Sequence, residues 1–268
     1  MKKEIKDLHQ ANRKAWNEGA KHYSEELQKT IDRLKAGISS VHPLERQNLG
    51  DLKSWCESAV HLQCASGEDT LSLLLEGAGA VTGIDISEVH IDNARKTSEA
   101  LNLPATWHCC DILEIPESLS GSFDLVYTGR GSICWMHDLE AWAAVVARLL
   151  KPDGVLHLFD DHPITWLFDL DSQAYQYNGA DYFDTMEETR GWPSTYIGEL
   201  AVPEAEQAPK YERAWPIGKV FEALVKAGLT VFHLMEQKEA YWDIYPDLRP
   251  ELRGRMPLSY TLMARKPA

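Results

Sequence analysis

The sequence predicts an α/β fold in which a doubly wound, mostly parallel sheet carries helices on both faces. Five short apolar runs between residues 59 and 160 alternate with segments whose apolar residues recur every three to four positions. Such alternation is typical of βαβ units and of a parallel sheet that is buried on both sides. Two further strand-like runs close the chain with DIYPDLRPELRGRM between them, which predicts an antiparallel final pair.

The first 50 residues are predicted to form a helical N-terminal cap. Apolar residues at helical spacing run from Ile5 to Leu34. Gly19 is expected to divide this run into two helices, and Gly37 is expected to end the second one.

The alternating elements follow in order from residue 59. Strands are predicted at 59–64, 80–86, 105–112, 123–129 and 154–160, and later in LTVFHLMEQ and PLSYTLMARK. Helices are predicted in DTLSLLLEGA, SEVHIDNARKTSEALN, DLEAWAAVVARLLKP and PIGKVFEALVKAG. Ser87 is a candidate N-cap, and the sequence KPDG at 151–154 is predicted to be a turn.

The alternation stops between residues 162 and 215, in a segment rich in Trp and Tyr. The segment is too aromatic for a disordered linker and too long for a structureless loop, so it predicts a substrate-side lid. Aromatic walls suit small planar or apolar molecules and methylated cations. A local core or a dimer surface is the alternative, so a homodimer stays open. Cap and lid are expected to be parts of one domain, residues 1–268.

Charge and hydropathy exclude several classes of partner. The chain has 268 residues and a net charge of −14, without a basic stripe. Because nucleic-acid binding requires Lys and Arg to neutralise phosphates, we expect no nucleic-acid partner. No apolar run approaches the roughly 18 residues that cross a bilayer, and the charged N-terminus has no signal-peptide core. We therefore expect a cytoplasmic protein with no membrane partner.

Carboxylates and glycines gather where the predicted strands end. Gly67 follows the first strand, and Asp85 and Asp111 stand at the ends of the second and third. Ligands bind at the carboxyl ends of parallel strands. Asp85 lies 18 residues after Gly67, a spacing typical of a carboxylate that accepts hydrogen bonds from a ribose diol. Asp111 is suited to the exocyclic amine of adenine. The alternatives are a helix-dipole partner for Asp85 and a turn-forming Asp111.

The motifs VHLQCASGEDTLSLLLEGAGAVTGIDIS, HCCDILEIP and FDLVYTGRGSICWMHDLEAWAAVVARLLKPDGVLHLFDDHP stand in this order. Together they resemble the class I S-adenosylmethionine-dependent methyltransferases, in particular a bacterial small-molecule type with an HLQC-type first motif. The phrases GIDIS and ARLLKPDG are especially characteristic, and the resemblance covers nearly the whole chain. It implies a Rossmann-like sheet of seven strands with an antiparallel last strand. It also implies that S-adenosylmethionine is the methyl donor, S-adenosylhomocysteine the product and a small molecule the acceptor.

The same resemblance implies where the donor binds. The loop after the first strand is expected to hold its methionine part, Asp85 its ribose and Asp111 its adenine amine, while the N-terminal helices close the pocket. The implied donor-binding residues are Trp16, Tyr23, Gln63, Cys64, Ala65, Ser66, Gly67, Asp85, Ile86, Asp111, Ile112, Thr128 and Gly129.

The first motif departs from the family's usual pattern at three positions. His61 stands where the family has an acid, and Gln63 and Ala65 stand where it has glycines. Glycine permits positive φ and close backbone approach. Because the acid is missing at position 61, another carboxylate or backbone carbonyls would have to hold the ammonium group of the donor.

Methyl transfer to oxygen or nitrogen by in-line displacement mainly requires positioning, with a base to remove a proton. His162, oriented by Asp161, is the candidate catalytic base, and its alternative is a capping role before Pro163. Asp160 and Asp161 could instead bind a divalent metal, but we expect none, because no third ligand is evident.

Two other functions stay open. A nicotinamide-dependent oxidoreductase predicts a G-x-G-x-x-G turn, which the first loop lacks. A catalytically silent S-adenosylmethionine-binding protein that acts through partners would explain the glycine-poor loop.

Overall fold

The computed structural model describes residues 1–184, 186–193, 195–198 and 200–268. The helices are α1 (Lys3–Glu25), α2 (Leu27–Lys35), α3 (Pro43–Leu49), α4 (Glu68–Leu75), α5 (Glu88–Leu101), α6 (Leu139–Leu149) and α7 (Ile217–Lys226). The strands are β1 (Ser58–Leu62), β2 (Ala80–Asp85), β3 (Ala105–Cys109), β4 (Phe123–Gly129), β5 (Leu150–Asp161), β6 (Met186–Thr189), β7 (Lys210–Arg213), β8 (Thr230–Gln237) and β9 (Ser259–Arg265). Among the described residues, no helix is long and apolar enough to span a membrane.

Seven strands form one sheet in the order β3-β2-β1-β4-β5-β9-β8. Strands β1 to β5 pair in parallel, whereas β9 runs antiparallel to both β5 and β8. The strand order reverses beside β1, which lies between β2 and β4, and such a switch point is where ligands bind in open α/β sheets. The predicted fold class is confirmed, including the antiparallel last strand.

Alternate residues of the central strands are buried on opposite faces of the sheet. Val60 and Leu62 of β1 belong to the apolar cluster that includes α6 and α7. Ala59 of the same strand belongs to a second cluster, with Leu49 of α3 and Leu73 of α4. Because both faces are covered, the strands are apolar along most of their length, which is why they stand out in the sequence.

Helix α1 runs without interruption through Gly19, so the prediction that this glycine divides the helix is wrong. A Cβ atom at Gly19 would lie 3.0 Å from the ring of Trp192. The missing side chain therefore makes room for a tryptophan of the insert.

A salt bridge connects α1 to α5. The Arg13 guanidinium pairs with Glu88 at the start of α5, which helps to hold α1 against the domain.

Residues 162–215 include the antiparallel pair of β6 and β7, which the sequence analysis did not predict. Strand β7 docks on α1 through the side chain of Asn12. The Asn12 amide donates to the Tyr211 carbonyl at 2.8 Å and accepts from the Tyr211 N–H at 2.7 Å. Residues 185, 194 and 199 of the predicted lid lie outside the described residues.

Strand β5 begins at Leu150 and therefore contains the sequence KPDG, which was predicted to be a turn before the strand. Asp153 has a φ of 63°, and the pairing with β4 shifts register between Phe123 and Leu125. Residues 151–154 thus interrupt the regular pairing of β5 with β4 instead of forming a turn before the strand.

Candidate functional site

A cavity of about 300 Å³ opens where β1, β2, β3 and β4 end, beside the switch point of the sheet. Twelve of the thirteen residues expected to bind the donor line it: Trp16, Tyr23, Gln63, Cys64, Ala65, Ser66, Gly67, Asp85, Ile86, Asp111, Ile112 and Gly129. The exception is Thr128, which is fully buried and bonds to the Leu62 carbonyl and to the Ser132 hydroxyl. Tertiary structure thus brings the predicted set together, while donor binding by it stays a prediction.

The loop after β1 has left-handed backbone at three positions. The φ angles are 55° at Gln63, 45° at Ala65 and 82° at Gly67. The first two residues therefore adopt a glycine-like conformation without being glycine, at a cost of about 1–2 kcal/mol each. Two hydrogen bonds hold them: the Ala65 N–H donates to Asp85 Oδ2 at 2.9 Å, and Gln63 Nε2 donates to the Ser132 carbonyl at 2.7 Å.

Gly67 is required by packing behind the loop as well as by its backbone. A Cβ atom here would lie 2.6 Å from the ring of Trp107 and 2.8 Å from the Cβ of Ala94. Helix α4 begins directly after Gly67. This glycine therefore lets the start of α4 approach α5 and β3, a role that does not involve a ligand.

Asp85 ends β2 with a carboxylate that both orders the loop and faces the cavity. Its Oδ1 accepts from the Ser87 N–H and its Oδ2 from the Ala65 N–H, each at 2.9 Å. Burial raises the pKa of Asp85 to about 6, although the hydrogen bonds from these N–H groups oppose the rise. A carboxylate has about four lone-pair sites, so acceptor capacity remains for the hydroxyls of a ligand.

Asp111 is held by a histidine that the sequence analysis missed. Its Oδ2 lies 2.7 Å from His9 Nδ1, and its Oδ1 accepts from the Leu113 N–H at 2.8 Å. His9 Nε2 accepts from the His137 N–H, so Nδ1 carries the proton and donates to Asp111. The aspartate therefore has the turn-forming role given as the alternative, and it still lines the cavity beside Ile112.

An aromatic wall of the cavity is built from α1 and α5. The rings of Trp16 and Tyr23 lie 5.3 Å and 5.2 Å from the ring of His90. His90 Nδ1 shares a hydrogen bond with Ser66 Oγ at 2.8 Å. Burial lowers the pKa of His90 to about 3 and raises that of Tyr23 to about 12. Both rings are therefore neutral near pH 7, and the wall suits an uncharged planar group.

His61 is buried under the loop and does not replace the charge of the acid usual at its position. Its Nδ1 shares a hydrogen bond with Thr70 Oγ1 at 2.8 Å, and its ring contacts that of Tyr127. Burial lowers the pKa of His61 to about 4, so the ring is neutral.

An ion-pair network formed by Arg130, Glu45 and Asp69 borders the cavity. Arg130 Nη2 lies 2.5 Å from Glu45 Oε2, and Nη1 lies 2.9 Å from Asp69 Oδ1. Glu45 is fully buried and its Oε1 accepts from the Tyr127 hydroxyl at 2.5 Å. Burial alone would raise the pKa of Glu45, but the Arg130 guanidinium and the hydrogen bonds hold it below its usual value. Asp69 and Arg130 line the cavity, so they supply charges of both signs there.

The turn after β4 is fastened by Asp160, which the sequence analysis considered as a metal ligand. Its carboxylate accepts from the N–H groups of Gly131 at 2.8 Å, Ser132 at 3.1 Å and Ile133 at 3.0 Å. A Cβ atom at Gly129 would lie 2.0 Å from the Phe159 carbonyl oxygen, so no other residue fits there. Across the described ranges, no group of three His, Cys, Asp or Glu residues could hold a metal ion.

The predicted pair of His162 and Asp161 is not formed. His162 Nε2 lies 2.8 Å from Glu236 Oε1, and its Nδ1 accepts from the Ile164 N–H at 3.1 Å. The side chain therefore caps the short helix at Pro163–Leu167, as in the alternative, and it does not line the cavity. The two residues are neighbours in sequence, but at the end of β5 their side chains have different partners.

Asp161 instead lines a second cavity of about 400 Å³. Its carboxylate accepts from the Tyr241 hydroxyl at 2.6 Å and from Trp242 Nε1 at 3.1 Å. Burial and the neighbouring Asp160 carboxylate raise the pKa of Asp161 to about 8. The two cavities adjoin, since both are lined by Gly131, Trp135, Tyr196 and Tyr241.

The geometry agrees with comparisons to known proteins. Residues 59–154, which extend from β1 into β5, match the family model described as a methyltransferase domain. No curated protein matches the chain.

Solved structures share the fold at low sequence identity. An S-adenosylmethionine-dependent methyltransferase from Mesorhizobium loti is 21% identical, with a TM-score of 0.56 over 85% of this chain and 98% of that one. A geranyl diphosphate C-methyltransferase from Streptomyces coelicolor A3(2), in complex with Mg²⁺, geranyl diphosphate and S-adenosylhomocysteine, is 14% identical, with a TM-score of 0.56 over 84% and 79%. The [4+2]-cyclase SpnF is 16% identical, with a TM-score of 0.56 over 92% and 95%. Residues 59–154 therefore match a methyltransferase domain, and the chain shares its fold with solved S-adenosylmethionine-dependent methyltransferases.

Proposed function

We propose that this protein transfers a methyl group from S-adenosylmethionine to an oxygen or nitrogen atom of a small-molecule acceptor. The observation that carries the proposal is the pair of adjoining cavities at the carboxyl edge of the sheet. One cavity is lined by the residues expected to bind the donor. The other is enclosed by the aromatic insert, and its volume of about 400 Å³ suits a small molecule.

The residues of the first cavity fit the donor. Asp85 has free acceptor sites for the ribose hydroxyls, and Trp16 and Tyr23 offer a neutral aromatic wall. Gln63 Oε1 and Arg130 Nε are buried and have no hydrogen-bond partner among the described residues. The methionine part of the donor carries an ammonium and a carboxylate, which would complement an amide oxygen and a guanidinium. We assign Gln63, Arg130 and Asp69 to this end of the donor, in place of the acid absent at position 61.

When bound, S-adenosylmethionine supplies a sulfonium methyl group for in-line displacement. The protein's own contribution is to position the two reactants, which is the larger part of catalysis for such a step. The turn at Gly129–Gly131 would separate donor and acceptor, and residues 162–215 would exclude water from the second cavity. Asp161 faces that cavity and is the group that would accept a proton from the acceptor.

Isothermal titration calorimetry with S-adenosylmethionine and S-adenosylhomocysteine tests the donor site. We expect both ligands to bind at micromolar concentration and Asp85→Ala to weaken both by about tenfold or more. Absence of heat at millimolar ligand would refute the proposal. Transfer of an isotope-labelled methyl group to a panel of alcohols, phenols and amines then tests the reaction.

A catalytically silent donor-binding protein that acts through partners is the second candidate. Its original support was the scarcity of glycine in the first loop. That support is weaker now, because Gln63 and Ala65 adopt the left-handed conformation that glycine would adopt. Donor binding without transfer to any member of the acceptor panel would favour this candidate.

A further inference from the structure

The second cavity combines aromatic walls with an excess of carboxylates. Its described lining includes the aromatic side chains of Trp135, Trp166, Phe168, Trp192, Tyr196, Tyr241 and Trp242. The acidic residues that line it are Asp161, Glu187, Glu204 and Glu212, against Arg190 and Lys210 as the basic ones. An anionic acceptor would therefore meet more negative than positive charge.

The basic side chains of this cavity already have partners. The Lys210 ammonium pairs with Glu212, donates to Thr189 Oγ1 at 2.6 Å and lies 5.2 Å from the centroid of the Trp192 ring. The Arg190 guanidinium donates to the Gln207 carbonyl. Among the described residues, neither of these cations forms an ion pair with Asp161.

Asp161 is the acidic residue of the cavity that lies on the seven-stranded sheet, at the end of β5. Within the described ranges its partners are the neutral donors Tyr241 and Trp242, and it forms no ion pair. These two donors leave at least one lone-pair site of the carboxylate open. The ring of Trp242 packs at 5.5 Å from that of Tyr196, so Asp161 stands beside an aromatic cluster. A carboxylate beside aromatic rings is the arrangement that recognises an organic ammonium ion.

We propose that the acceptor is an amine, a small molecule with a primary or secondary alkylammonium group next to an apolar or aromatic part, and that Asp161 binds this ammonium. The inference rests on the proposed methyl transfer and names its acceptor class. In its ionised form, Asp161 accepts one ammonium proton, which leaves a neutral amine. The nitrogen lone pair then forms the new bond to the methyl carbon while the carbon–sulfur bond breaks, and its electron pair stays on sulfur. The product is the methylated ammonium.

Location supports this role for Asp161. Tyr241, which donates to Asp161, also lines the first cavity, so the carboxylate lies close to the boundary that the methyl group must cross. A neutral alcohol would need a much stronger base than a carboxylate, because an alkylammonium loses its proton far more readily than an aliphatic hydroxyl does.

The test is calorimetric binding of three probes of similar shape, phenethylamine, phenethyl alcohol and phenylacetate, to the full chain with and without saturating S-adenosylhomocysteine. We expect phenethylamine to bind at least about tenfold more tightly than the alcohol, and phenylacetate to bind most weakly. Asp161→Asn should reduce the preference for the amine over the alcohol to about twofold or less. Glu206→Gln, which removes an exposed carboxylate that does not line the cavity, is the control and should keep the preference.

Equal or tighter binding of the alcohol or of phenylacetate would overturn the amine assignment. So would the absence of binding by phenethylamine at millimolar concentration, or an unchanged preference in Asp161→Asn. The comparison of probes on the unmodified protein stands even if the Asp161 variant fails to fold. If the protein does not bind S-adenosylhomocysteine, the proposed function is wrong. The amine assignment is tested separately, because the acceptor probes are also measured without S-adenosylhomocysteine.

Discussion

Replacing Ala65 by glycine tests whether the first loop keeps a glycine conformation at a cost in stability. Ala65 has a φ of 45°, and alanine in this region is disfavoured by about 1–2 kcal/mol. Glycine removes that strain but loses roughly 0.5–1 kcal/mol to the greater freedom of the unfolded chain. Ala65→Gly should therefore raise the free energy of unfolding by about 0.5–1 kcal/mol, a rise in Tm of roughly 1–4 °C.

The control is Ala227→Gly, because Ala227 is similarly half-buried but has an ordinary φ of −75°. With no strain to relieve, this variant should lose about 0.5–1 kcal/mol. Urea denaturation and thermal melting of the three proteins measure the difference. Ala65→Gly should also leave donor affinity within about twofold, because the Ala65 N–H that bonds to Asp85 is retained. If the two substitutions destabilise the protein equally, the backbone of Ala65 is not strained.

Three further predictions concern residues around the first cavity. Glu45→Gln should lower the free energy of unfolding by about 3 kcal/mol, because it leaves Arg130 without its buried partner. Since the folded pKa of Glu45 lies below 4.5, this difference in urea stability should be present at pH 7 and shrink as the pH falls below about 4. Gly67→Ala should cost about 2–4 kcal/mol by thermal melting, since its Cβ would meet the Trp107 ring, and a stable variant would disprove this packing role. Because burial raises the pKa of Asp85 to about 6, donor affinity measured by calorimetry should fall below pH 6 as the carboxylate is protonated, and Asp85→Asn should abolish that dependence.

The residues predicted at the strand ends line one cavity, while their role in donor binding stays a prediction. Gly67, Asp85 and Asp111 each stand at or just after the end of a strand whose apolar run is readable, and parallel pairing carries all three to one edge of the sheet. Their shared cavity therefore follows from local pattern together with sheet topology. The wrong prediction at Gly19 has a different origin. A glycine that ends a helix and a glycine that makes room for a distant ring look the same in sequence. The contact with the Trp192 ring shows that Gly19 is of the second kind.

The partners of the site residues were beyond the reach of sequence pattern. His9 and Asp111 are 102 residues apart, Glu45 and Arg130 are 85 apart, and His162 and Glu236 are 74 apart. Each contact exists because separate elements pack against the same sheet. No periodicity or motif encodes such a pairing, which is why His162 was joined in the prediction to its neighbour Asp161.

By itself, the sequence determined the alternating strands and helices of the seven-stranded sheet, its antiparallel final pair and the strand ends that line the first cavity. These features depend on the period of apolar residues and on turn chemistry, both of which are local. Only the tertiary structure decided that Gln63 and Ala65 take left-handed backbone, that Asp161 faces a second cavity and that His162 is a cap. These outcomes depend on which distant side chains fill the space around each residue, and that is settled when the layers pack together.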